Sequence, residues 1–243
     1  MQSLKVAKET ISRLIVIKIM KTLTYAIAIK NKPEETAKRS LEGLLGQTHP
    51  CNVNIVDFGS TEENLKWERK LFSSVNFIEA KTDLEHYSSS RALNIGIKRV
   101  ETPYTLITDI DLIPSSNFVE EVMKVLNDKT AVLCRRIDLD DDGNEIRLHS
   151  EGAYGACLAI QTDWLKKVRG FDETYTYWGR EDDDMFDRIK QDGFGLVWLD
   201  TDKVSLKHQF HLPASNQTLE ENIKYYNIPN KPLIRNPKGW GEI

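Results

Sequence analysis

Residues 104–114 read YTLITDIDLIP. Five β-prone, largely apolar residues run into Asp109-Ile110-Asp111 and then Pro114, so a strand empties into a turn that carries two carboxylates. Open α/β sheets bind their ligands beyond the carboxyl ends of the strands. Two acids on alternating positions there are badly placed for a core and well placed to hold a divalent cation, which prefers carboxylate oxygens. The bland reading is a helix cap or a turn, since a DxD is a short motif. The apolar strand in front of it favours the metal.

Working outward, the same strand–turn–helix grammar recurs. LTYAIAI (23–29) is a strand, and Pro33 opens a helix that runs to about residue 45 and stops at Gly46. NVNIVDF (52–58) is a strand stopped by Gly59-Ser60, followed by a helix over 62–72 and a short strand over 75–79. Residues 88–100 form a helix with serines at its start and Leu93, Ile97 and Val100 on one face. A further helix covers 118–126. This alternation predicts an α/β domain with a parallel sheet flanked by helices. The second half changes character. Residues 131–136 and 145–149 are expected to form a hairpin around Asp142-Gly143-Asn144. Strands follow at 157–161, 196–199 and 204–207, with a helix over 181–191.

Residues 1–20 are taken as a leader or short extension, with Met20-Lys21 a plausible true start. The domain itself is set at 21–212, with a nucleotide half (21–114) and an acceptor or catalytic half (115–212). Residues 213–243, polar and marked by four prolines, read as one short helix and a tail packed on the domain.

The bulk numbers narrow the function classes. Against 33 Lys and Arg stand 37 Asp and Glu, a net charge of -4, which gives no support to a nucleic-acid partner. Any anionic ligand must be held by a local arrangement or a metal ion. Cys51, Cys134 and Cys157 lack CxxC spacing and read as reduced thiols, which predicts a cytoplasmic protein. The apolar run at 14–20 is interrupted by Lys18 and has no small-residue cleavage site. No stretch approaches the ~20 apolar residues that span a bilayer, which leaves peripheral association as the compatible form of membrane contact.

Residues 178–189, WGREDDDMFDRI, form the second constellation. Acids gather at helix starts because the helix dipole favours them, so the cluster alone says little. Helical phase separates them: Asp182, Met185, Phe186 and Ile189 share one face, which puts Asp182 at the head of the buried stripe and turns Asp183, Asp184 and Asp187 elsewhere. A carboxylate at the inner edge of a cleft can act as a base, and Trp178 suits the flat face of a sugar ring. The third constellation, His208-Gln209-Phe210-His211, offers imidazoles for an ion of the Mn2+ type; the bland reading is a pair of surface histidines. Asp138, Asp140, Asp142 and Gly143 imitate the start of a calcium loop, but His149 stands at the twelfth position, so the segment reads as a solvated turn. Asn216-Gln217-Thr218 is a glycosylation sequon without a secretory context. There is no P-loop and no GxGxxG.

These residues resemble a known group. LNIGI (93–97), DIDLIP (109–114), RGF (169–171) and YWGREDDDMFDRI (177–189) are similar to GT-A-fold glycosyltransferases of the galactosyltransferase C-terminal domain family, which includes β-1,4-galactosyltransferases, and to bacterial chondroitin-polymerase-type transferases. The match spans about the last two-thirds of the chain. VDFGS (56–60) looks more like the broad processive GT-A transferases. The resemblance implies a GT-A, Rossmann-like domain with a mixed, mostly parallel sheet. It implies an inverting, metal-dependent transfer of a hexose or N-acetylhexosamine from a UDP-sugar to a glycan or glycoconjugate acceptor, in polysaccharide biosynthesis, with Mn2+ or Mg2+. By the same resemblance Asp111 and His208 would ligate the metal, with Asp109 and His211 as alternatives. Asn31, Asp57, Arg91 and Asp109 would contact the donor. Tyr154, Gly155, Trp178 and Glu181 would bind the acceptor, and Asp182 would be the catalytic base. Ala153 stands where galactose-specific relatives carry a tyrosine, which implies room for an N-acetyl group. The chain departs from the family at Lys30-Asn31-Lys32, in place of Arg-Asn-Arg, at Ser89, in place of a donor-contacting arginine, and at Ser205, in place of a methionine ligand. The rival readings are a sugar nucleotidyltransferase, which would not need the WGxEDDD segment, and a non-catalytic sugar-binding module, which would lack either the acid pair or the base.

Overall fold

A computed structural model describes residues 22–82, 84, 87–152, 154–212 and 217–243. The leader, Ala153 and Asn216 of the sequon lie outside them. The first half is the alternation read from the sequence: β1 (Leu23–Ile29), α1 (Glu34–Leu45), β2 (Asn52–Phe58), α2 (Glu62–Leu71), β3 (Asn76–Ala80), α3 (Ser89–Lys98) and β4 (Tyr104–Thr108). There follow β5 (Leu112–Pro114), α4 (Phe118–Val125), β6 (Thr130–Leu133), β7 (Ile137–Leu139), β8 (Glu145–Leu148), β9 (Cys157–Gln161), α5 (Thr162–Lys167), α6 (Glu181–Gln191), β10 (Gly195–Trp198), β11 (Leu206–His208) and α7 (Leu219–Tyr226).

Seven strands form the main sheet in the order β10-β6-β9-β4-β1-β2-β3. β1 to β4 run parallel, and β9 runs antiparallel to both β4 and β6, so the sheet is mixed. β1 is apolar along its length because both its faces are covered. Leu23, Tyr25, Ile27 and Ile29 meet Ala37, Leu41 and Leu44 of α1. On the other side Ala26 joins Leu93 and Ile97 of α3 and Phe186 and Ile189 of α6. Gly96 lets α3 lie close on the sheet, since a Cβ there would stand 3.2 Å from Val56. The chain order reverses between β2 and β4 on either side of β1, and the loops after β1, β2 and β4 open on one crevice at that switch point.

The second half corrects one expectation. The strand opposite β8 is β7 rather than residues 131–135, and only Arg136 of the expected strand takes part, its carbonyl accepting from His149 N–H (3.0 Å). The buried Ala131-Val132-Leu133 of β6 enters the main sheet between β10 and β9, while β8 pairs with β7 across the turn at Asp140 to Asn144. The physical reason is burial: β8 is exposed at every residue and has no use for a partner that needs both faces covered. β7 and β8 join β5 and β11 in a second sheet, ordered β5-β11-β7-β8. No helix among the described residues is long and apolar enough to cross a membrane.

Candidate active site

Ile110 and Leu112, both buried, pin the turn after β4 to the core. Asp111, 4% exposed, is fixed between them. The second sheet then delivers a histidine to it. β11 lies between β5 and β7, with His208 in register with Leu112 on one side and Asp138 on the other. His208 Nε2 stands 3.8 Å from Asp111 Oδ1, and His211 Nε2 stands 3.4 Å from Asp111 Oδ2. One ligand atom from each of Asp111, His208 and His211 lies within 4.8 Å of the others. The sequence left His208 and His211 as alternatives; the fold brings both to Asp111, and Asp109 is not part of this trio. Two imidazoles and one carboxylate suit a divalent first-row ion with open positions. Lys32 also reaches this point, its Nζ 2.5 Å from Asp111 Oδ2. Burial would raise the Asp111 carboxyl, but Lys32, then the two histidines, bring it below the usual range.

Asp138 is not a solvated turn residue as expected from its sequence neighbours. It is 8% exposed and forms a hub. Arg147 donates from Nε (3.0 Å) and Nη2 (2.5 Å), and His149 Nε2 lies at 2.8 Å. Arg136 Nε lies at 3.2 Å, and His208 Nδ1 at 3.2 Å from Oδ1. Burial opposes ionisation of Asp138, yet His149, Arg147 and Arg136 hold its carboxyl well below the usual range. An ionised carboxylate can only accept, so His208 carries its proton on Nδ1 and turns the Nε2 lone pair toward Asp111.

The acidic segment is held by the start of α3. Tyr177 donates its N–H to Tyr87 O (2.6 Å), Ser89 N–H donates to Tyr177 O (3.3 Å), and Ser89 Oγ donates to Glu181 Oε1 (3.2 Å). Tyr177 and Arg180 adopt positive φ, at 56° and 73°, on either side of Gly179, where 106° is open to glycine; the two side-chain-bearing residues are held there by surrounding contacts. α7 supplies part of that support: Asn222 Nδ2 donates to Thr176 O and Trp178 O. Trp178 is 44% exposed beside it. Asp182 is half-buried at the base of α6. Its carboxyl abuts Gly155, where a Cβ would come within 2.6 Å of Oδ2. Burial, then Glu181, Asp109 and Asp183, raises the Asp182 pKa well above the ordinary value. Asp109 and Asp182 therefore feel one another across the crevice; Asp109, although exposed, is raised too, by the desolvating walls around it first and Asp111 second. Glu181 is likewise raised by burial.

Asp184 departs from the phase argument. It is 1% exposed rather than turned outward. Arg188 Nε (3.0 Å), Lys231 Nζ (3.2 Å) and Arg235 Nη2 (3.1 Å) surround it. The segment after α7 covers a second side of α6, so this helix has two buried faces. Asp183 pairs with Arg180 (2.9 Å), and Asp187 accepts from Tyr226 OH (2.6 Å). Tyr154 has its ring stacked on Phe186 at 4.2 Å, and its hydroxyl accepts from Lys190.

Of the residues expected at the nucleoside, Asp57 lies next to last in β2, in register with Ile29, and Asn31 follows β1. Asn31 Oδ1 accepts from Thr61 N–H (2.9 Å) and Asn64 Nδ2 (3.0 Å). Arg91 is exposed in the first turn of α3. Tyr87 was missed by the sequence reading, although its hydroxyl is raised by burial and then by Asp109, Glu181, Asp111 and Asp57 in turn. It stands where the donor and acceptor candidates meet. No spacing in the sequence marks it.

Residues 135–212, about a third of the chain, match a family described as the N-terminal domain of galactosyltransferase. The chain is 23% identical over 159 residues to mouse (Mus musculus) β-1,4-galactosyltransferase 1, covering 58% of this chain and 37% of that protein. Against the human (Homo sapiens) enzyme it is 26% identical over 118 residues, covering 45% and 27%. The chain thus spans little more than a third of these relatives at most. Among solved structures, S. aureus TarS residues 1–349 with UDP superposes with a TM-score of 0.63 at 16% identity, covering 79% of this chain and 61% of that one. The mannosyltransferase PcManGT of Pyrobaculum calidifontis, solved with GDP-Man and Mn2+, gives 0.60 at 16%, covering 79% and 57%. The fold is GT-A.

Proposed function

We propose that the protein is an inverting, metal-dependent glycosyltransferase that moves a hexose or N-acetylhexosamine from a UDP-sugar to a glycan hydroxyl. The observation that carries this reading is the pairing, across one crevice, of an Asp111–His208–His211 trio with an Asp182 carboxyl of raised pKa. The trio suits Mn2+ or Mg2+, and the Mn2+ bound with GDP-Man in the mannosyltransferase neighbour supports that choice. When bound, the cation neutralises charge on the departing diphosphate. Asp182 takes the proton from an acceptor hydroxyl as that oxygen bonds to the anomeric carbon. The bond from that carbon to the phosphate oxygen breaks, and its electron pair leaves with the diphosphate. Asn31, Asp57 and Arg91 hold the nucleoside end, with Asp109 toward the sugar. Trp178, Glu181, Tyr154 and the Gly155 backbone shape the acceptor side. By the family resemblance Ala153 replaces a tyrosine that crowds the donor sugar's C2 side, so an N-acetyl group is expected to be accepted at least as well as a bare hydroxyl.

The test is donor turnover over a panel of UDP-Gal, UDP-GalNAc, UDP-Glc and UDP-GlcNAc, with Mn2+ and with EDTA. Metal-dependent turnover of at least one donor, lost in Asp111→Ala, is expected. Equal UDP affinity in that variant with and without Mn2+, at the wild-type level, removes the metal assignment.

A further inference from the structure

Behind Asp57 lies a second carboxyl that no motif marks. Glu68, on α2, is 0% exposed, and Asp57 is 2% exposed. The two side chains are within hydrogen-bonding reach of one another. Ser60 ties them together: its N–H donates to Asp57 Oδ1 (3.2 Å) and Oδ2 (3.3 Å), and its Oγ donates to Glu68 Oε1 (3.3 Å). Ser60 Oγ in turn accepts from Asn31 N–H at 2.9 Å. Glu68 Oε2 is buried and meets no donor.

The surrounding charges do not relieve this pair. Glu79 on β3 adds repulsion at Glu68. Arg69, next to Glu68 in the chain, is committed to Glu79 through two bonds of 2.7 Å and to Glu62 at 3.6 Å. Lys30, after β1, lies toward Gly59 and over the Tyr87 ring. Two buried carboxyls in contact cannot both ionise at modest cost, so one proton stays between them. Asp57 is the better-solvated anion, because Ser60 and Gly59 backbone N–H groups point at it. Burial, then the charge of Asp57, pushes Glu68 up to about 7.

We infer that Glu68 is a positioning residue: as a neutral acid it donates a hydrogen bond to Asp57 and fixes that carboxylate as an acceptor for a ring N–H of the donor's base. The inference rests on the nucleoside role of Asp57 proposed above. An acceptor held this way selects bases with a ring N–H on their pairing edge, such as uracil and guanine, over cytosine and adenine, which present a lone pair there. Loss of the Glu68 proton puts two anions in contact and releases Asp57 from its set position.

Calorimetry of UDP and CDP binding with Mn2+, at about pH 6 and about pH 8.5, tests this in the wild type and in Glu68→Gln. The glutamine amide donates at both pH values. Effects of the phosphates and the histidines are common to both proteins and cancel in the ratio of their affinities. Wild-type affinity for UDP, relative to the variant, is expected to fall about tenfold between the two pH values, the worth of one charge-assisted bond. Within the wild type the preference for UDP over CDP narrows by a similar factor, a readout that stands even where the variant fails to fold. A pH-independent ratio, or a preference that does not change with pH, overturns the inference. Absence of any nucleoside diphosphate binding by the wild type at either pH overturns the donor-site reading and the inference with it.

Discussion

Asp182 is one of four acids in a row, and each neighbour has a different environment. Glu181 is buried against Ser89, Asp183 is paired with Arg180, and Asp184 is locked among three cations. Asp182 has its carboxyl against Gly155, feels Asp109 across the crevice, and is raised well above the ordinary value. Asp182→Asn keeps the shape and removes the proton acceptor, so turnover should fall by ~10² or more while UDP affinity survives. Asp183→Asn should cost far less; an equal loss in both, with folding intact, would reject Asp182 as the base. A base must be ionised to work. Because burial raises Asp182, kcat/KM should climb with pH through a point above the ordinary carboxylate range near ~4, and an acid limb at the ordinary value would exclude it. Asp138 acts one bond further out. Asp138→Asn should weaken Mn2+ binding ~10- to 100-fold, as loss of a histidine-orienting carboxylate does elsewhere. The same change made in His208→Ala should add nothing further, and titration of Mn2+ by paramagnetic resonance distinguishes the two outcomes.

At the scale of elements, the contact of α2 with β2 makes stability depend on pH. The Glu68 carboxyl stands at about 7 in the folded protein against 4.5 in its ordinary state. Its contribution is therefore full below about pH 4.5 and is lost as pH rises through about 7. Relative to Glu68→Gln, the wild-type melting temperature should decline across that window; parallel curves would show that Glu68 is not the titrating group. The elements of the first half were legible because each carries its own period and its own stop, as LTYAIAI and NVNIVDF do. The second sheet was not. β5 and β11 are three residues each, too short for a period, and their partners are distant in the chain. The same limit hid Asp138, which reads as part of a polar turn until β7 sets it beside β11. Asp109, Asp111 and Asp182 could be found because a strand end and a helix phase expose them. Asp184 could not, because two of its three counter-charges, Lys231 and Arg235, lie beyond α7, and helical phase knows only one buried face.

Across the whole molecule, the segment after α7 binds the two halves of the crevice. Lys231 and Arg235 neutralise Asp184 on α6, and Asn236 bonds to Arg169 O and Phe171 O. Trp240 packs in the core cluster of α3 and α6, with its carbonyl on Lys98. Arg235→Met removes a 6%-exposed partner of a buried anion. Lys231 and Arg188 remain, so the expected loss is about 2 kcal/mol in urea unfolding rather than the full cost of an orphaned charge; no change in midpoint or slope would place Arg235 outside the network. The same arrangement has a meaning in time. Asp184 and Arg235 are 51 residues apart, and a ribosome makes the acid first. A nascent chain that has emerged only as far as α6 holds β1 to β4 with α1 to α3, but Asp184 on α6 still lacks two of its counter-ions. The parallel half of the sheet can settle during synthesis, whereas the face built on α6 closes only when the later segment arrives and docks. Arrested chains of increasing length should gain protease resistance in that order.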